Sequence, residues 1–296
     1  SNDGYLTRQL IEHGYRVRGV DPSIAMSSLA AERGVKTYNY LFNHNNSHTI
    51  KSDFGIVDAV IANNVFNHAN DPEDFIRSVS NVLKEGGVFI YELPYWLCTI
   101  RDKKFDQIYH EHVTYFTVKY SYNLLQKHGF QLKKVDVVDY HGGSLRIVCE
   151  KNKTSKLADD IKAMISQEEE FGLFDEKRYE EFMSSLLQQR NCFMSKIYEI
   201  KKSGYPIIGV GAAAKANTFL NFYKIDNTIL DYITDASEHK KGKYTPLTRI
   251  PVVGDEIFAE YDKVYALVLS WNISDLLIEK ITEINSNVEF IFPQEK

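Results

Sequence analysis

The chain has 296 residues, 44% of them hydrophobic, and a net charge of −5. That length fits two domains, each with apolar residues enough for its own core. The mild acidity gives no electrostatic basis for binding nucleic acid or an anionic membrane surface.

Cys98, Cys149 and Cys192 lie far apart with no C-x-x-C pair. This argues against a cysteine-built zinc site and suits a reducing compartment. No apolar run reaches membrane-spanning length, and the first residues carry no signal-peptide pattern. The expectation is a soluble, cytoplasmic protein.

Residues 1–6 read as a tight turn feeding a helix over about 5–13, with no strand ahead of it. Such a turn normally joins a strand to a helix, so the sequence reads as a fragment that begins inside the unit. Residues 16–21 form a short buried strand ending in Asp21. Pro22-Ser23 then opens a helix to about residue 33, with Ser23 as its cap. Residues 35–39 read as a strand and 43–51 as a polar loop. Residues 58–64 read as a buried, parallel-type strand ending in Asn63-Asn64. Asp71 caps a helix to about residue 83, and Gly86-Gly87 turns into a strand over 88–93. Residues 120–128 are helical, and 131–139 with 144–150 make a strand pair. This alternation is the pattern of a doubly wound α/β sheet. From 155 to 202 charged helix formers dominate, with apolar residues at helical spacing. They predict two long helices broken near Gly172. After Gly204 the alternation returns: a strand at 207–210, a helix to about 223, and strands at 229–233, 264–269 and 288–292.

Several stretches carry chemistry. Asp21, at a strand end, suits a ribose diol or a plain helix-cap acid. Asp3-Gly4 before it and Asn63-Asn64 later occupy the ligand-binding ends of an open α/β sheet. His68 follows on the same rim, as a functional or a surface-loop histidine. Tyr109-His110-Glu111-His112 offers a base near neutral pH, a carboxylate and a phenol. It reads as acid–base machinery, a metal motif short of ligands, or a polar structural cluster. His141-Gly142-Gly143-Ser144-Leu145-Arg146 is a tight turn in which Arg146 can meet an anion, or a simple hairpin turn. Gly209-Val210-Gly211-Ala212-Ala213-Ala214-Lys215 lies between strand and helix, as a phosphate cradle requires. It resembles a dinucleotide fingerprint, with Asp235 closing the next strand, or else a ligand-free packing turn.

Taken together, these stretches resemble the S-adenosylmethionine-dependent sugar C-methyltransferases, which act on nucleotide-linked ketosugars. The resemblance rests on Ser1 to Gly4, Val20 to Ser23 and Ala62 to Val65. It rests equally on Phe105-Asp106 with Tyr109 to His112 and Tyr115, and on His141 to Arg146. In the C-terminal part it rests on Gly209 to Thr218, Asp235, Lys241-Gly242 and Leu269 to Asn272. Nearly the whole chain is covered, with the motifs in order. The departures are Ala216 where glycine is usual, Thr245-Pro246-Leu247 in place of Leu-Pro-Gly, and the absence of a cysteine-built N-terminal zinc domain.

The resemblance implies a class I methyltransferase-type, Rossmann-like domain over 1–152 that binds S-adenosylmethionine and has lost its first strand. A helical connector follows over 153–203, then a smaller α/β domain over 204–296 that binds the sugar nucleotide. Zinc is implied only in the missing N-terminal domain, and no metal at the site. His112 is implied as the base that forms an enolate beside a 4-keto group, supported by Tyr109, Glu111 and His68. Asp3, Gly4, Asp21, Pro22, Asn63 and Asn64 would hold the methyl donor. His141, Arg146, Gly211, Lys215, Asn217, Asp235, Lys241 and Trp271 would hold the substrate. The residues alone leave open an NAD-dependent oxidoreductase or a non-catalytic sugar-nucleotide module.

Overall fold

The computed structural model describes residues 1–140, 142–152 and 156–292. The chain divides into two compact units. One comprises Ser1–Leu97, Val113–Asp139 and Gly143–Leu173; the other comprises Cys98–His112, Tyr140–Gly142 and Phe174–Lys296.

In the first unit α1 (Tyr5–Glu12) starts at Gly4, whose φ of 80° favours glycine. A Cβ there would also press on Val35 and Ala30 at 3.0–3.1 Å. β1 (Gly19–Val20) leads to α2 (Ile24–Glu32), where Ser23 Oγ accepts the Met26 N–H at 3.3 Å as the expected cap. β2 (Thr37–Tyr38) pairs with β1 in parallel. Residues 43–51, expected as a loop, belong instead to the helix α3 (His44–Phe54). Its polar run hides an N-cap, since Asn43 Oδ1 accepts the Asn46 N–H at 2.9 Å. Only Ser47 and Ile50 of this helix are buried, too few for a visible helical period.

β3 (Val57–Asn63), α4 (Pro72–Val82) and β4 (Leu83–Pro94) follow. Asp71 caps α4 by accepting the Asp74 N–H at 2.9 Å. Next come α5 (Trp96–Arg101), which runs across the division between units, and α6 (Val118–Lys127). β5 (Phe130–Val138), β6 (Ser144–Lys151) and α7 (Asp159–Glu170) complete the unit. The four-stranded sheet runs β3-β4-β6-β5, with β3 and β4 parallel and the β4-β6 and β6-β5 pairs antiparallel. β3 was expected to be buried, but Ala62 is its one buried residue. It sits at the edge of the described sheet, where Val and Ile satisfy strand preference without full burial.

The second unit contains α8 (Glu176–Lys202), β7 (Ile207–Val210), α9 (Ala214–Tyr223), β8 (Tyr232–Thr234) and β9 (Val252–Val253). β10 (Val264–Val268), α10 (Ser274–Ile284) and β11 (Val288–Ile291) follow. The break ahead of α8 has Gly172 at φ 74°, as its position predicts. All described strands of this sheet are parallel, in the order β11-β10-β7-β8-β9. Ile208, Val210, Val264 and Ala266 pack with Phe258 and Ile281 as a fully buried core. The strand order reverses between β7 and β10, and open α/β sheets take ligands outside the carboxyl ends of strands at such a switch point. The turns after those two strands carry Gly211 to Lys215 and Ser270 to Asn272. Both units are α/β and Rossmann-like. Among the described residues no helix is long and apolar enough to cross a membrane.

Candidate functional site

In the first unit Asp21 ends β1 with its carboxylate held by backbone. Oδ2 accepts the Asn2 N–H at 2.7 Å and Oδ1 the Ser23 N–H at 3.0 Å. Burial pushes this carboxyl up, but the Ser23 and Asn2 N–H groups together with the Ser1 amino group hold it below its ordinary range. Pro22 beside it is exposed. Asp3 is occupied by the Arg33 guanidinium, and the Tyr5 N–H also reaches it at 3.3 Å. Asn63 is exposed at the end of β3, and Asn64 turns the chain with φ 50°.

His68 ends a 3₁₀ turn, Phe66–His68, anchored by Phe66. That fully buried ring lies 4.7–5.3 Å from Phe75, Phe116 and Tyr91. The Asn67 carbonyl of the same turn accepts the Val113 and Thr114 N–H groups at 3.0 and 3.2 Å. Arg146 is not turned toward an external anion. Its Nε and terminal nitrogen bond Glu92 Oε2 at 2.9 and 2.8 Å across the β4-β6 pair, where Glu92 and Arg146 stand opposite. His141 lies outside the described residues; the Gly142 carbonyl next to it accepts from Lys104.

In the second unit the segment before Val113 is built on another 3₁₀ turn, Phe105–Gln107, all three residues buried. His112 Nδ1 lies 2.8 Å from the Gln107 carbonyl oxygen. A carbonyl can only accept, so Nδ1 carries the proton and the ring's lone pair resides on Nε2. Tyr109 packs on this ring with centroids 4.2 Å apart. His110 and Glu111 point outward, with side chains 87% and 54% exposed and 3.9 Å between them. The two histidines therefore do not form a pair: the His112 N–H bonds the Tyr109 carbonyl at 3.0 Å, and this turn leaves Tyr109 with His112 while His110 goes outward with Glu111.

At the switch point of this sheet Lys215, in the first turn of α9, is 9% exposed. Its Nζ bonds Asn272 Oδ1 and sits 4.0 Å from the Trp271 ring centre. Burial lowers this lysine to about 8, and Asp106 opposes the shift. The Trp271 indole N–H donates to Asp106 Oδ2 at 2.6 Å. Burial pushes the Asp106 carboxyl up, against that indole bond and the charge of Lys215. Gly211 has φ 92° and abuts the Ser270 side chain. The Gly211 and Ala212 N–H groups both go to the Thr234 carbonyl, at 2.9 and 3.2 Å. They therefore brace the turn instead of facing outward as a cradle. No side chain caps α9, so the anion-attracting part of this turn is the helix start with Lys215.

Asp235 accepts the Ser237 N–H at 2.9 Å and Lys240 Nζ at 2.8 Å, and Lys240 also donates to the Ala212 carbonyl at 2.9 Å. Lys241 pairs outward with Glu238 at 2.7 Å. The Asn217 carbonyl accepts from the Asn221 amide at 2.8 Å within α9. The structure thus gathers Lys215, Trp271 and Gly211, and separately Tyr109 and His112, while Lys241 and Arg146 are engaged elsewhere. Two contributors carried no assigned role in the sequence reading. Asp106 was visible only as part of the Phe105-Asp106 pair that carries the resemblance, and Lys240 as one of several lysines after Asp235.

A family model described as the C-methyltransferase C-terminal domain matches residues 139–294, more than half of the chain. A second, described as a methyltransferase domain, matches residues 1–135. The C-methyltransferase NovU of Streptomyces niveus is 28% identical over 295 residues, covering 99% of this chain and 70% of that protein. Among solved structures, a methyltransferase from Methanosarcina mazei aligns with a TM-score of 0.39 at 19% identity, over 52% of this chain and 90% of its own. An S-adenosylmethionine-dependent methyltransferase from Mesorhizobium loti gives 0.41 at 17%, over 50% and 87%.

The first unit's strand ends fit that methyl donor. Gly4 leaves the α1 start free of a side chain, and Asp21 presents an ionised acceptor of the kind that ribose hydroxyls need. The chain belongs to the C-methyltransferase family and is an S-adenosylmethionine-dependent methyltransferase.

Proposed function

We propose that the enzyme methylates a carbon of a nucleotide-linked 4-ketosugar by way of an enolate. The observation that carries this reading is the Nδ1–H of His112 on the Gln107 carbonyl, which puts the ring's basic lone pair on Nε2. A ketone acidifies the neighbouring C–H, and a histidine base suits its removal near neutral pH. In this reading Nε2 of His112 takes the proton. Tyr109, packed on the ring, donates to the developing enolate oxygen. Bound S-adenosylmethionine supplies an electrophilic methyl group, already carrying its leaving group, to the carbon so exposed.

We assign donor binding to residues 1–152 through Asp3, Gly4, Asp21, Pro22, Asn63 and Asn64, with 153–203 as the connector. The sugar nucleotide falls to residues 204–296. There Lys215 and the start of α9 meet its phosphates, beside Gly211, Asn217, Asp235 and Trp271. His141 completes the substrate set, without Arg146, which Glu92 holds. Three free thiols, one of them exposed, support a cytoplasmic setting.

The test is exchange of the substrate's α-proton with deuterated water, catalysed by the full-length enzyme with S-adenosylhomocysteine bound. Exchange in the wild type and none in His112→Gln supports the mechanism. Undiminished exchange in the variant removes His112 as the base.

A further inference from the structure

The 3₁₀ turn Phe105–Gln107 joins two parts of the second unit. Its first residue, Phe105, packs on α9, with its ring 4.6 Å from Phe222 and 5.9 and 6.2 Å from Tyr223 and Phe219. Its second, Asp106, holds the Trp271 indole N–H at 2.6 Å. Its third, Gln107, offers the carbonyl that orients His112 at 2.8 Å. The turn therefore stands on the helix that carries Lys215 and on the loop that carries Trp271, and its far edge sets the imidazole. Trp271 in turn covers the Lys215 ammonium at 4.0 Å, so Asp106, Trp271 and Lys215 form one continuous set. Asp106 is 5% exposed, and a buried carboxylate in this position has to justify its desolvation by what it holds.

We propose that Asp106 is a positioning residue for His112. By fixing Trp271 it locks the turn whose Gln107 carbonyl selects the imidazole tautomer, and it thereby links the Lys215–Trp271 loop to the base. A ligand anion that draws on Lys215 shifts Trp271, and the shift reaches Nε2 of His112 through a single turn of chain. This rests on the reading of His112 as the base.

Nitrogen-15 spectra of the histidine rings in the full-length enzyme test the link without substrate, His112→Gln identifying the relevant signals. The wild type should show His112 in the Nδ1–H form. In Asp106→Ala, and in Trp271→Phe, which keeps a ring over Lys215 but loses the N–H, the Nε2–H form should appear. Their kcat should fall by roughly ten- to a hundredfold while KM for S-adenosylmethionine stays unchanged. Asp106→Asn retains an oxygen for the indole and should keep both the wild-type tautomer and most of kcat. A wild-type tautomer in both Asp106→Ala and Trp271→Phe overturns the proposal, whatever their activity. If His112→Gln keeps turnover, the base assignment fails, and the spectra still decide whether Asp106 orients that ring.

Discussion

The ammonium of Lys215 lies 4.0 Å from the centre of the Trp271 indole and bonds Asn272, with its side chain withdrawn from water. This is a charge retained in a desolvated place, and its cost shows as a lysine at about 8. The sign follows from linkage. Below pH 8 both folded and unfolded chains hold the proton, and the full penalty for burying the charge is present. Between about 8 and the ordinary lysine value of 10.5 the folded state sheds the proton first, so stability rises with pH. The shift corresponds to about 3 kcal/mol at most. Lys215→Met should therefore be more stable than the wild type at pH 7, by roughly 1–3 kcal/mol in urea unfolding. The difference should vanish near pH 10. Binding of a nucleoside diphosphate, followed by calorimetry, should weaken as pH climbs through 8 and be lost in the variant.

His112→Gln should lower kcat by roughly 10²–10⁴ without changing affinity for S-adenosylhomocysteine, because it removes the proton acceptor alone. Tyr109→Phe keeps the ring packed on His112 and loses one hydroxyl donor. A drop in kcat of roughly ten- to a thousandfold is expected. Steady-state kinetics with calorimetry for the bound cofactor product separate the two effects.

Asp21→Ala should weaken S-adenosylhomocysteine binding by roughly ten- to a hundredfold, the worth of a hydrogen bond to a charged acceptor. The same change frees the Asn2 and Ser23 N–H groups, so the start of α2 should also lose protection in hydrogen exchange.

Glu168 is fully buried in the first unit and organises the entry of α6. Its carboxylate accepts the Val118 and Lys119 N–H groups at 2.5 and 3.0 Å and the Tyr95 hydroxyl at 2.9 Å. It supplies from α7 what an N-cap supplies locally, and it meets the positive end of the helix. Burial pushes its carboxyl up, opposed by those N–H groups. Glu168→Ala removes the shared acceptor of the Val118 and Lys119 N–H groups and the Tyr95 hydroxyl and should cost about 3–5 kcal/mol in urea unfolding at pH 7. Glu168→Gln, which keeps one oxygen acceptor, should cost about half of that.

Local signals were strong where a few neighbouring residues decide the backbone. Ser23 and Asp71 announced their helices because a side-chain oxygen within three residues satisfies a first-turn N–H. Gly172 marked the break between α7 and α8 because a left-handed residue there ends a helix. The turn after β7 was visible as small residues between strand and helix, and the motifs in order were enough to indicate the family. α3 escaped because its burial rests on two residues, and β9 because two residues make no pattern. The outward cradle expected at Gly211 and Ala212 proved to be a brace, since Thr234, on the neighbouring strand, takes both N–H groups.

By itself the sequence determined most of the elements, apart from α3 and β9, and the set of ionisable groups available for chemistry. These depend on propensity, capping and periodicity, which act over a few residues. Only the tertiary structure decided which of those groups meet. Trp271 and Asp106 are 165 residues apart in the chain and share a hydrogen bond. Arg146, free on paper, is claimed by Glu92 through strand register. Lys215 is an ordinary surface cation until packing of α9 and the 270–272 turn strips its water. Such pairings come from the balance between burial and polar satisfaction over the folded whole, and no short window of sequence contains that balance.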